Sequence, residues 1–162
     1  MQSQMSLITK KISNQENDFL QQIAHWKSEG KKIVFTNGCF DIIHRGHIEY
    51  LAQAADLGDI LVIGVNSDLS VKKLKGETRP IQDQHSRTLI LASLQFVSLV
   101  VIFNEETPIN LIQKVSPSVL VKGGDYELKN IVGAEFVTNN GGKVITIPFV
   151  DGFSSSKIID SL

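Results

Sequence analysis

A doubly wound α/β domain around a five-stranded parallel sheet is what this sequence predicts. Five short β-branched runs, at residues 32–36, 60–65, 97–102, 119–121 and 144–147, are nearly continuous in hydrophobicity rather than alternating. Strands buried on both faces read this way. Stretches with apolar residues at helical spacing separate them, and strand–helix alternation favours parallel pairing through crossover helices. With 162 residues the chain has room for one such domain and one core.

In chain order, residues 1–17 are polar, carry no apolar segment of the signal-peptide kind, and read as loosely attached. Residues 19–29 form a leading helix stopped by Gly30, with Leu20, Ile23, Ala24 and Lys27 on one face. Residues 1–30 are therefore a tail and leading helix, and residues 31–162 the domain that carries function. Helices follow at about 48–57, 84–96, 108–114 and 133–140, and a last one after the serines at 154–156. The one long polar connection is 73–83, and loops of that length are often functional. The longest apolar stretch, 89–103, is broken by Ser93, Gln95 and Ser98, well short of the ~20 apolar residues a bilayer span needs.

Composition excludes several classes. Sixteen Lys+Arg stand against 17 Asp+Glu, a formal net charge of −1, so no bulk positive charge draws the chain to nucleic acid or an anionic membrane. A single cysteine, Cys39, builds neither a disulfide framework nor a thiolate zinc site. A cytoplasmic protein is the expectation.

The first strand of the domain runs into Thr36-Asn37-Gly38-Cys39-Phe40-Asp41-Ile42-Ile43-His44-Arg45-Gly46-His47. Ligands of open parallel sheets bind beyond the carboxyl ends of the strands, where the strand order reverses. Gly38 permits a tight turn there, and Gly46 leaves room where a Cβ would obstruct a ligand. A helix starting near Gly46 would aim its free N–H groups and positive dipole end at the same crevice, with His44 and His47 as further donors. A lone histidine at a helix start is ordinarily a cap or surface residue. Two of them spaced His-x-Gly-His, directly after a strand ending in Gly-x-Phe-Asp, point to a triphosphate. His25 and His85 have no such pattern and read as surface residues.

This segment resembles the first motif of the cytidylyltransferase-like nucleotidyltransferases, which share a His-x-Gly-His signature. The resemblance continues through Val65-Asn66-Ser67-Asp68, Lys72 to Lys75, Gly76, Arg79-Pro80 and Arg87. It runs on through Leu120-Val121-Lys122-Gly123-Gly124-Asp125-Tyr126 and Asp151-Gly152-Phe153-Ser154-Ser155-Ser156-Lys157. It implies a Rossmann-like domain that transfers a nucleotide from an NTP to a phosphate group and releases pyrophosphate. Asn-Ser-Asp at 66–68, Arg-Pro at 79–80, Glu-Glu-Thr-Pro at 105–108 and Val-Lys-Gly-Gly-Asp-Tyr at 121–126 are similar to the heptose 1-phosphate adenylyltransferase branch. That branch implies transfer of AMP from ATP to D-glycero-D-manno-heptose 1-phosphate, giving ADP-heptose for lipopolysaccharide core synthesis. The arginine that glycerol-3-phosphate cytidylyltransferases carry before the serine motif is absent from Phe149-Val150-Asp151-Gly152. Many relatives carry a fused sugar-kinase domain that these residues do not include, so the resemblance implies a separate upstream heptose kinase. A homo-oligomer is implied on the same ground. Two alternatives stay open: a CTP-dependent enzyme acting on a polyol or amino-alcohol phosphate, and a non-catalytic nucleotide sensor.

The expected roles follow from charge. A sugar phosphate is already an anionic nucleophile, so catalysis is positioning and stabilisation of charge on the α-phosphate. His44, His47 and Lys122 are the expected catalytic groups. Lys72, Lys75 and Arg79 would neutralise phosphate charge. Arg87 opens a helix, where a cation is unfavourable, so an anionic partner is expected for it. Gly123 and Asp125 form a turn over the crevice, with Asp125 expected at sugar or metal-linked contacts. Ser154, Ser155 and Ser156 would cap the last helix and donate to phosphate. Gly38, Cys39, Phe40, Gly46 and Asp68 complete the nucleotide contacts that the resemblance implies. Mg²⁺ is expected to arrive with the triphosphate rather than in a carboxylate cage.

Overall fold

The computed structural model of the chain describes residues 2–124, 126–148 and 155–160. Five strands form where the apolar runs predict them: β2 (Ile33–Gly38), β3 (Ile60–Asn66), β4 (Leu99–Phe103), β5 (Val119–Gly123) and β6 (Lys143–Ile147). A sixth, β1 (Ile12–Ser13), corrects both the strand count and the reading of residues 1–17 as loosely attached. Ile12 pairs with Val100 and Ser13 with Val101 at the sheet edge, and Val100 N–H donates to the Lys11 carbonyl at 2.7 Å. Two residues are too few for any hydrophobic period, and only the tertiary ladder makes them a strand.

The sheet is parallel throughout, in the order β1-β4-β3-β2-β5-β6. From β2 the chain steps outward through β3 and β4, then returns to the other side of β2 as β5. The switch point therefore lies between β2 and β5. Their register pairs are Val34 with Val119 and Phe35 with Leu120, while β2 continues to Gly38 and β5 to Gly123. Beyond the second pair the strands part, and the crevice opens there.

Successive side chains of β2 enter opposite cores, as burial on both faces requires. Ile33 and Phe35 pack with Phe19 and Ile23 of α2 (Glu16–Ser28), Leu111 and Ile112 of α6 (Ile109–Val115) and Val137 of α7 (Ala134–Asn139). Val34 packs on the other face with Tyr50, Leu51 and Ala54 of α3 (Arg45–Ala55) and Leu91 and Ala92 of α5 (Gln84–Ser93). Ile8 of α1 (Gln4–Thr9) leans on that second core. Each fully buried aliphatic side chain here contributes roughly 1.5–3 kcal/mol relative to exposure.

Besides α1, which forms inside the segment read as loosely attached, two helices depart from expectation. Residues 68–75, read as part of a basic segment and loop, fold as α4 (Asp68–Lys75). Only Ser70 and Val71 of it are buried. Its ends hold it instead: the Ser67 hydroxyl accepts the Ser70 N–H at 3.2 Å, and Lys72, Lys73 and Lys75 occupy the last turn, where the dipole favours cations. Helix α3 starts at Arg45, three residues before the predicted 48, because Gly46 lies inside the first turn rather than before it. A 3₁₀ turn at Leu128–Asn130 and a final helix, α8 (Ser155–Asp160), complete the described elements. No helix among the described residues is long and apolar enough to cross a membrane.

Candidate active site

The loop leaving β2 delivers the first motif to the crevice. Phe40 takes a left-handed conformation, φ 47°, which a non-glycine residue adopts only where its surroundings over-determine it. Its ring is buried, and a Cβ at Gly38 would lie 3.0 Å from it, so packing against Phe40 favours glycine at 38, whose own backbone is not left-handed. The Asp41 carboxylate, 2% exposed, accepts the Ile81 N–H at 2.8 Å, the Gln82 N–H at 3.0 Å and Arg79 Nε–H at 2.6 Å. These contacts hold the carboxyl below the usual carboxylate range despite its burial.

His44 is the N-cap of α3, and its N–H donates to Nδ1 of His47 at 3.4 Å. The two rings lie 3.9 Å apart, centroid to centroid, and the Phe40 ring lies 5.5 Å from His47. Since Nδ1 of His47 accepts, the neutral ring carries its proton on Nε2. Burial, then the charges of His44 and Lys75, lower the His47 pKa to about 4. Burial also lowers that of His44. Both rings are neutral N–H donors at physiological pH, set at a helix N-terminus.

Lys122 reaches the crevice from β5. Burial lowers its ammonium pKa, opposed by the Cys39 thiol, and no carboxylate among the described residues pairs with it. The Cys39 thiol is itself pushed up by burial against the pull of Lys75 and Arg87, so it stays protonated, with Sγ 3.9 Å from the Asn66 amide oxygen. Gly123 is buried and Gly124 turns the chain at φ 108°, its N–H donating to the Ile147 carbonyl at 2.9 Å. Ser155 Oγ donates to the Ile42 carbonyl at 3.0 Å, which seats α8 against the first motif. Asp125, Ser154 and the side chain of Ser156 lie outside the described residues.

Not every expected cation converges. Arg79 gives its Nε–H to Asp41, while its buried Nη2 has no hydrogen-bond partner among the described residues. Arg87 is fully buried, donating to the Gln82 carbonyl at 3.0 Å, to the Cys39 carbonyl, and to Asp68 Oδ1 at 2.8 Å. The anion expected opposite Arg87 is thus a protein carboxylate, and Asp68 is engaged with it. These three side chains lash the loop of residues 76–83 and the start of α4 to the first motif. Lys72 and Lys75 are both exposed on α4, and of the two only Lys75 acts on His47 and Cys39 through its charge. Gly46 is buried in the first turn of α3. Sequence reasoning gave Asp41 no role, although a carboxylate straight after the first strand and ahead of a basic segment was the available signal.

A parallel sheet open at its switch point, a helix N-terminus carrying two closely paired neutral imidazoles, and a desolvated lysine at the other side define a Rossmann-like nucleotidyltransferase. Residues 35–161 match the cytidylyltransferase-like family, and the chain belongs to it. It is similar to the Bifunctional protein HldE of Nitrobacter hamburgensis, 51% identical over 93% of this chain and 31% of that protein. It is likewise similar to the Bifunctional protein HldE of Geobacter sulfurreducens, 52% identical over 86% of this chain and 29% of that protein. The chain thus spans about a third of the length of these curated relatives. Among solved structures, the lipopolysaccharide core biosynthesis protein from Thermoplasma volcanium GSS1 aligns with a TM-score of 0.59 and 30% identity, over 75% of this chain and 98% of that one.

Proposed function

We propose that the protein transfers AMP from ATP to D-glycero-D-manno-heptose 1-phosphate, forming ADP-heptose and pyrophosphate for the lipopolysaccharide core. The reading rests above all on the closely paired His44 and His47 rings at the α3 N-terminus, with Lys122 on β5 at the other side of the switch point. The HldE relatives and the lipopolysaccharide core biosynthesis neighbour support the choice of product. A cytoplasmic setting goes with it, since ATP is drawn from that pool.

An oxygen of the acceptor phosphate attacks the α-phosphorus in line, a new P–O bond forms, and the bond to the bridging oxygen of pyrophosphate breaks. No general base is needed. His47 Nε2–H and the α3 N–H groups stabilise charge on the phosphates, while Lys122 and Lys75 offset the charge of the two anions brought together. Arg79, Arg87 and Asp68 act at one remove, by holding the 76–83 loop. Gly38, Cys39, Phe40 and Gly46 shape the floor, and Ser154 and Ser156 add hydroxyl donors, the Ser155 hydroxyl being given to the Ile42 carbonyl. The nearby carboxylates Asp41 and Asp68 are taken by arginines, and the described residues hold no cluster of three His, Cys, Asp or Glu fit for a metal ion. Mg²⁺ therefore belongs in this reading to the triphosphate as its counter-ion.

A panel of nucleoside triphosphates against sugar and polyol phosphates, followed by pyrophosphate release, tests the proposal. ATP with the heptose phosphate is expected to lead. Preference for CTP with glycerol 3-phosphate would overturn the substrate assignment. Tight ATP binding without turnover of any acceptor would favour a nucleotide sensor.

A further inference from the structure

On the face of the sheet opposite α3 lies a cavity of about 180 Å³, lined by Asn37, Pro108, Leu120, Lys122, Tyr126, Asn130, Ile131 and Val132. Period-two alternation puts it there. Asn37 follows Phe35, and Lys122 follows Leu120, on the α6/α7 side, while α3 packs on the other side. The cavity opens where β2 and β5 part.

Its lining is divided. Leu120, Ile131, Val132 and Pro108 make an apolar wall. Asn37, Asn130 and the Tyr126 hydroxyl each both donate and accept, as sugar hydroxyls do, and the Tyr126 ring offers an apolar face to C–H bonds. Lys122 supplies the single cation. Burial lowers its pKa, so an anion at that point relieves a desolvated charge. In-line displacement needs the entering and leaving oxygens on opposite sides of phosphorus. If His44 and His47 hold the triphosphate from the α3 side, the acceptor enters from this side.

We propose that this cavity holds the sugar of the acceptor, with Asn37, Tyr126 and Asn130 as specificity-determining residues and Lys122 on the acceptor's phosphate. The proposal rests on the adenylyl-transfer reading above. Tyr126, Asn130 and Val132 are exposed, so substituting them leaves the core intact.

The test uses Asn130→Ala, which removes one hydrogen-bonding group, and Val132→Trp, which fills the cavity. KM for ATP and for heptose 1-phosphate are measured separately, and binding of the heptose phosphate, both anomers, is followed by calorimetry. Asn130→Ala is expected to raise the acceptor KM and weaken acceptor binding ~3–10-fold, the worth of one neutral hydrogen bond. Val132→Trp is expected to do so at least tenfold, and neither should move the ATP KM beyond twofold. If the wild type binds the heptose phosphate without turnover and the variants lose that binding, the cavity assignment stands and the adenylyl-transfer reading falls. A raised ATP KM in either variant would give the cavity to the nucleotide base and overturn the proposal. Unchanged acceptor KM and binding in both variants, or no binding of the heptose phosphate by the wild type, would overturn it equally.

Discussion

Arg79 and Arg87 on one side of the crevice, and His47 and Lys122 on the other, look alike in the sequence as basic residues near strand ends. The structure separates them by partnership. Both guanidiniums are met by carboxylates and carbonyls of the chain. The imidazole and the ammonium are desolvated with no protein anion among the described residues. Burying a cation without a counter-charge costs stability, and the anionic ligand is what offsets that cost. A guanidinium met by a carboxylate holds a loop, while a neutral imidazole donor and a desolvated ammonium without a carboxylate wait for substrate.

The largest effects should fall on the side of the imidazoles and the ammonium. His44→Ala and His47→Ala should each lower kcat by ~10²–10³, the loss of one preorganised donor to developing charge. The double variant should lose less than the product, because both rings serve one phosphate chain. Circular dichroism should show both variants folded. Near-wild-type kcat in a folded variant would remove that ring from the transition state, and unfolding of both would make the rings structural.

On the partnered side the expected loss is of stability. Arg87→Met strips the Asp68 carboxylate of its partner and leaves two carbonyls unmet. Breaking a buried pair costs ~3–5 kcal/mol, and partial exposure of Asp68 puts this pair near ~3. At roughly 2–4 °C per kcal/mol for a chain of this size, the melting temperature should fall by about 10 °C. A melting temperature within two degrees of wild type, with KM for ATP raised instead, would move Arg87 to the ligand-facing set.

This division was invisible in the sequence for a physical reason. Strands β2 to β6 were legible because burial on both faces writes itself as continuous β-branched runs. The histidine pair was legible because local spacing fixes it at a helix start. Partnership is a long-range property: Arg79 meets Asp41 across 38 residues and Cys39 meets Arg87 across 48, and no local pattern encodes either. Helix α4 was missed because its ends, not an apolar face, stabilise it. The Asn37–Asn130 cavity was missed because it exists only where two strands diverge.

A smaller effect is expected at Lys122. Lys122→Ala should raise KM about tenfold, some 1.4 kcal/mol, while the melting temperature holds or rises, since a desolvated cation is removed. Thermal melting beside initial-rate kinetics checks both. A fall of several degrees with KM unchanged would return Lys122 to a structural part.

The smallest effect is one of pH and follows from the direction of the His47 shift. In the folded chain His47 stays neutral down to about 4, whereas an unfolded histidine takes its proton near 6.5. As pH falls through 6.5 the unfolded chain binds the proton first, so stability falls with pH. The contribution is complete above 6.5, is lost between 6.5 and 4, and changes no further below 4. His44, shifted the same way by burial, adds to the loss. Asp41, held below the usual carboxylate range, gives up its contribution only below pH 4 and leaves the window clear. Because His47 is only half-buried, solvent screening reduces the expected loss to about 1 kcal/mol. That is a melting temperature ~2–4 °C lower at pH 4.5 than at pH 7. Calorimetry across this range should show the drop in the wild type and a smaller one in His47→Ala. Saturating ATP should shrink it too, because phosphate favours the protonated ring. An identical slope in His47→Ala would mean that the desolvated imidazole is not the group that titrates, and the contrast between the two sides of the crevice would lose its histidine half.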